Sequence, residues 1–141
     1  MKKSNNKGFS LVELIVVVAI MAVLVGVLAP AYLRYVEKSR FQKDCSAVAE
    51  LEEAIKITLS EETVSQNVVA GTSYKITLGA KTTTEITTTS CTAPAAFVNE
   101  LVKTIPSVKF TSNTITGNVE ITFTMATTGA VTVTNNLASF S

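Results

Sequence analysis

Side chains able to do chemistry are few in this sequence, and their spacing does not favour catalysis. There is no histidine, the two cysteines are Cys45 and Cys91, and Asp44 is the single aspartate. Zinc and haem sites need Cys and His at short, clustered spacings, which this pair lacks. A serine or cysteine nucleophile needs a neighbouring base, and imidazole is absent; Glu85, Glu100 and Glu120 are too scattered to form a carboxylate pair on one rigid cleft. The reading is non-enzymatic, with no catalytic residue, no metal and no cofactor. The formal charge is +1, and the mixed placement of Lys and Glu after residue 70 predicts no basic face of the kind that tracks phosphates, so no nucleic-acid partner is indicated. One carboxylate does stand in an unusual place: Glu13, near the start of a strongly apolar run.

The elements that must position these residues follow from hydrophobic periodicity. Residues 1–8 are polar, with Lys2, Lys3 and Lys7, whereas residues 9–29 are close to the roughly 20 apolar residues that a helix needs to cross a bilayer. After Pro30, apolar residues recur at three- and four-residue spacing (Phe41, Cys45, Val48, Leu51, Ile55, Leu59) among charged ones, which predicts an amphipathic helix. No Gly or Pro lies between 31 and 59, so the two stretches are expected to form one helix over about 9–60. Beyond 61 the chain is rich in Thr and β-branched residues. Period-two runs at 74–78, 108–111, 119–125 and 130–134, with turn signals at Gly117-Asn118 and Thr128-Gly129, predict an antiparallel sheet. Residues 93–105 predict a short second helix, with Pro94 in its first turn. The fold class is therefore α+β, a long N-terminal helix whose striped face at 41–59 covers a small antiparallel sheet.

Three readings compete for Glu13. A cleavable secretory signal would have Ala29-Pro30-Ala31 as its cleavage site, but it would gain nothing from an ionisable group that costs roughly 2.5–3.5 kcal/mol at a membrane helix's centre. A plain single-pass anchor would keep Glu13 wet at the interface. The third reading rests on a resemblance. The stretch KGFSLVELIVVVAIMAVLVGVLAPAY resembles the class III signal of type IV prepilins, with Gly8, Phe9, Glu13, the apolar run and Pro30 all in register.

That resemblance implies a division of the chain. Residues 1–8 would be a leader cleaved by a membrane aspartyl peptidase between Gly8 and Phe9, with methylation of the new amine; residues 9–30 a transmembrane and filament-core helix; residues 31–60 its amphipathic half; and residues 61–141 a β-rich head. It implies the structural subunit of a surface filament, inserted in the inner or cytoplasmic membrane as a precursor. Its partners would be further copies of itself, the prepilin peptidase and the pilus assembly machinery. In a water-poor filament core the Phe9 ammonium needs a counter-charge, which Glu13 of a neighbouring subunit would supply.

Pro30 cannot donate to the carbonyl of Gly26, so a kink is expected there, and the resemblance adds loss of helix on assembly. Two buried thiols are one reading of Cys45 and Cys91; the favoured one, for a head maturing outside the cytoplasm, is a disulfide between them, worth about 4 kcal/mol in chain-entropy terms. Fifty residues follow Cys91, so this is not the C-terminal bracketed loop of many type IV pilins. A type II secretion or competence pseudopilin is the alternative, disfavoured because an Asp-rich calcium loop is missing near the C-terminus. From a different class, a monomeric membrane-anchored adhesin is the other alternative. The basic block Arg34 to Lys43 precedes an acidic block, Glu50 to Glu62, which staggered neighbours could set against one another.

Overall fold

The computed structural model describes residues 9–140. The leader and Gly8 therefore lie outside the described residues. The chain divides into two compact units, one up to Val36 and one from Glu37 onward. Helix α1, Leu11–Ser60, supplies the whole of the first unit's regular structure and continues into the second.

In the first unit the helix starts where its chemistry says it should. Ser10 precedes the first helical residue; its carbonyl accepts from Leu14 N–H at 3.3 Å, and its own N–H donates to Glu13 Oε2 at 2.9 Å. A glutamate three residues after a serine cap is the reciprocal arm of a capping box. From Phe9 to Tyr35 the side chains are exposed, including Leu14, Val18, Leu24 and Leu28. Burying each such side chain is worth about 1.5–3 kcal/mol, so this surface calls for lipid or other helices around it. The helical assignment runs through Pro30, and nothing lies within 4 Å of where a Cβ on Gly26 would stand.

The second unit is a helix-on-sheet sandwich. Its remaining elements are α2 (Glu62–Ser65), β1 (Ser73–Leu78), β2 (Thr83–Glu85), α3 (Ala95–Thr104), β3 (Ser107–Lys109), β4 (Val119–Met125), β5 (Val131–Asn135) and a 3-10 turn, Leu137–Phe140. Strands β1, β4 and β5 form an antiparallel sheet in the order β1-β4-β5, and β2 pairs with β3 separately. Register follows the alternation: Tyr74 opposes Phe123, Ile76 opposes Ile121 and Leu78 opposes Val119, all inward. Outward, Lys75 reaches Glu120 at 3.0 Å and Ser73 meets Thr124 at 2.9 Å. Phe123 also packs on Phe97 of α3, with ring centroids 4.8 Å apart.

Val48, Leu51, Ile55 and Leu59 of α1 complete the core against these residues. The outer side of β1 is covered by residues 90–92, since Thr77 N–H donates to Ser90 O and Thr92 N–H to Lys75 O. Strand β5 forms the opposite edge. The single expected sheet is thus two, because the stretch around β3 turns away to pair with β2, in the Thr-rich segment where no alternation was evident.

Candidate functional site

Two regions gather the side chains with chemistry. The first is the N-terminal end of α1. Phe9 is 87% exposed, and Glu13 points one carboxylate oxygen at the Ser10 N–H, which leaves the other oxygen without a hydrogen bond among the described residues. The S-x-x-E spacing at residues 10–13 was the available signal for this local cap.

The second region is where α1 meets the segment 111–114. Asp44 is only 1% exposed, and its two oxygens accept from Thr111 N–H at 3.0 Å, from Thr111 Oγ1 at 3.1 Å and from Ser112 N–H at 2.7 Å. Seven residues earlier on the same face, Glu37 accepts from Ser112 Oγ at 2.7 Å, from Thr114 N–H at 3.2 Å and from the Asn113 N–H. The Ser112 hydroxyl is the main influence holding the Glu37 carboxyl below its usual value; partial removal from water opposes it, and the Asn113 and Thr114 N–H groups and Arg40 add to it. A loop without strand pairing is thereby anchored, its orphan backbone donors satisfied by two carboxylates. An apolar-stripe reading of α1 places Cys45 inward, yet Asp44 takes the buried position and Cys45 is half-buried beside it.

Both cysteines are free in this structure, and the expected bond between Cys45 and Cys91 is not shown. Cys91 is buried, and main-chain bonds on both sides hold it at the β1 edge, where it bridges to Ile76. Cys45 packs against the same core from α1. Burial pushes both thiols up, with the Asp44 charge adding to the effect at Cys45 and the Ala93 N–H opposing it at Cys91. Each behaves as a small apolar side chain.

The glutamates weighed for catalysis stay apart: Glu85 is in β2, Glu100 pairs with Lys103 on α3, and Glu120 pairs with Lys75. Among the described residues no group of three or more His, Cys, Asp or Glu side chains is placed to hold a metal ion. The structure does collect one basic surface that sequence order hid. Arg40, Lys43, Lys81 and Lys109 surround a shallow basin of about 530 Å³ with Phe110, Thr111 and Asn113.

Comparison with known proteins places this architecture. Residues 3–29 match the family model described as the prokaryotic N-terminal methylation motif. The chain is 34% identical over 76 residues to "Prepilin peptidase-dependent protein A" of Clostridium perfringens, covering 54% of this chain and 52% of that protein. It is 32% identical over 78 residues to a "Type IV major fimbrial protein FimA" of Dichelobacter nodosus, covering 55% of this chain and 49% of that one. The chain spans about half the length of these two relatives. No solved structure is a significant match. An N-terminal methylation motif, a helix long and apolar enough to cross a membrane and a helix-on-sheet head define an α+β protein with a methylation-type N-terminus. More particularly, over about half of its length the chain is similar to proteins named for prepilin peptidase dependence and for type IV fimbriae.

Proposed function

We propose that the chain is the major structural subunit of a type IV pilus, with no catalytic role. The observation that carries this reading is the naked apolar half of α1, exposed from Phe9 to Tyr35 and overlapped by the methylation motif matched at residues 3–29. A bilayer would satisfy that surface in the precursor, and neighbouring copies would satisfy it in a filament. The peptidase would cut after Gly8 in the cytoplasmic membrane, leaving Phe9 as the methylated terminus, and the assembly machinery would carry the subunit into a surface homopolymer.

In that polymer the Phe9 ammonium and the Glu13 carboxylate of adjacent copies would neutralise one another. Leaving either charge alone in a water-poor core costs about 3–5 kcal/mol, so the pair sets axial register more than it adds adhesion. The Oε1 of Glu13, which takes no part in the local cap, is available to that ammonium. Gly26 and Pro30 would be the weak point of the rod, since the Gly26 carbonyl has no N–H from Pro30 to accept and glycine itself disfavours helix. Electron microscopy of sheared surface material, with N-terminal sequencing, tests the reading. Filaments whose chain begins at Phe9 support it; a monomeric surface protein that retains its leader rejects it.

A further inference from the structure

The basic basin draws on three separate segments: Arg40 and Lys43 from α1, Lys81 from the turn after β1, and Lys109 from the end of β3. Lys81 adopts a φ of 57°, the left-handed conformation that glycine or asparagine takes at lower cost, yet a lysine is placed there. Among the described residues Lys43, Lys81 and Lys109 have no ion pair, and Arg40 approaches Glu37 only at 3.9 Å. Glu37 is already committed to the 112–114 loop. Four like charges are therefore convergent, and three of them have no ion pair among the described residues.

A complementary surface exists on the same chain. Glu50 and Glu53 line a second basin of about 350 Å³ with Ala54, Ile57, Thr104 and Ile105. Both acids are exposed, Ile57 is 57% exposed beside them, and Glu50 has no ion pair among the described residues. Ten residues separate Arg40 from Glu50 and Lys43 from Glu53, about 15 Å of helix at 1.5 Å per residue, so the rigid helix keeps the two patches from neutralising each other within one copy. A contact between two different patches at different heights would be heterologous, the kind from which open helical polymers as well as rings are built.

We propose that the basin of Arg40, Lys43, Lys81 and Lys109 receives Glu50 and Glu53 of a second copy. The proposal rests on the filament reading and adds a contact between heads to the one between apolar helices. It is tested on intact filaments of the full chain, assembled from equal parts of isotopically light and heavy protein and treated with a zero-length carbodiimide. Lys81 or Lys109 should be joined to Glu50 or Glu53 in light-to-heavy pairs. Lys81→Glu with Lys109→Glu should lower filament yield by about tenfold or more, because like charges set opposite one another strongly disfavour association. Adding Glu50→Lys and Glu53→Lys should restore it.

Filaments of normal yield from the double lysine variant, or cross-links that never join two copies at these residues, overturn the contact. If that variant assembles normally but no longer binds inorganic polyphosphate that wild-type filaments bind, the basin serves a soluble polyanion and the contact is likewise overturned. If wild-type protein itself forms no filaments, it is the underlying pilus reading that has failed.

Discussion

Asp44 accepts a 2.7 Å hydrogen bond from the Ser112 N–H across 68 residues of sequence, and so fastens the one long unpaired approach to β4 onto α1. A carboxylate that is 1% exposed is tolerated there because donors from Thr111 and Ser112 surround it.

Removing it should be costly. Asp44→Ala strands the Thr111 and Ser112 N–H groups, and leaving buried donors without partners costs about 1–3 kcal/mol apiece. A loss of roughly 3 kcal/mol of head stability in urea denaturation is expected, with Asp44→Asn intermediate because one oxygen still accepts. Equal stability of wild type and Asp44→Ala would show that the loop holds itself.

Glu37 predicts a pH dependence. Its carboxyl titrates lower in the folded chain than the usual 4.5, so the stability it adds is fully present above that value and is lost as pH falls through the lowered one. The difference in melting temperature between wild type and Glu37→Gln should therefore be largest near neutrality and shrink below about pH 4.5. A difference that stays constant down to pH 3 would remove the ionic part of this contact.

The thiols should be inert but present. Native protein should react slowly with a thiol reagent, Cys91 more slowly than Cys45, since both thiols are pushed up and Cys91 is the more deeply buried. In denaturant without reductant both should label. A chain that labels in denaturant only after reduction carries the bridge that the fold omits.

Glu13 has two candidate duties, capping Ser10 within the chain and answering the Phe9 ammonium of a neighbour, and substitution separates them. Glu13→Gln keeps an acceptor for the Ser10 N–H but removes the charge. If charge pairing governs assembly, Glu13→Gln and Glu13→Ala should both be cleaved and folded yet yield few filaments, each joint bearing about 3–5 kcal/mol of unpaired charge. Filaments from Glu13→Gln but not from Glu13→Ala would assign the acid to capping alone.

Much of the fold was legible because it is periodic: α1, β1, β4, β5 and α3 fall within a residue or two of their apolar patterns. The missed features share a different cause. Asp44 and Glu37 earn their places from donors more than 60 residues away, which a stripe count on one helix does not register. Strand β2 lies in TTTEI, where threonine on both faces erases alternation. The basin joins cations from α1, a turn and β3, none of which forms a run in sequence. The expected disulfide was drawn from compartment and the pairing of two cysteines, and neither constrains where the backbone places a thiol.

The order β1-β4-β5 leaves the head's main sheet lopsided. One border is already occupied by residues 90–92, while β5, five residues long, offers its outer row of amides to solvent. An open border of this kind invites strand addition by any similar neighbour, and a polymer of heads holds similar neighbours at very high local concentration. The border is blunted by what it presents: Thr132 and Thr134 alternate with half-exposed valines, and Asn135 at its end is tied to Glu52 of α1 at 2.6 Å. Short, polar and pinned at one end, that border is a poor template for strand addition, so heads crowded together in the proposed filament would meet through side chains and not through a shared sheet.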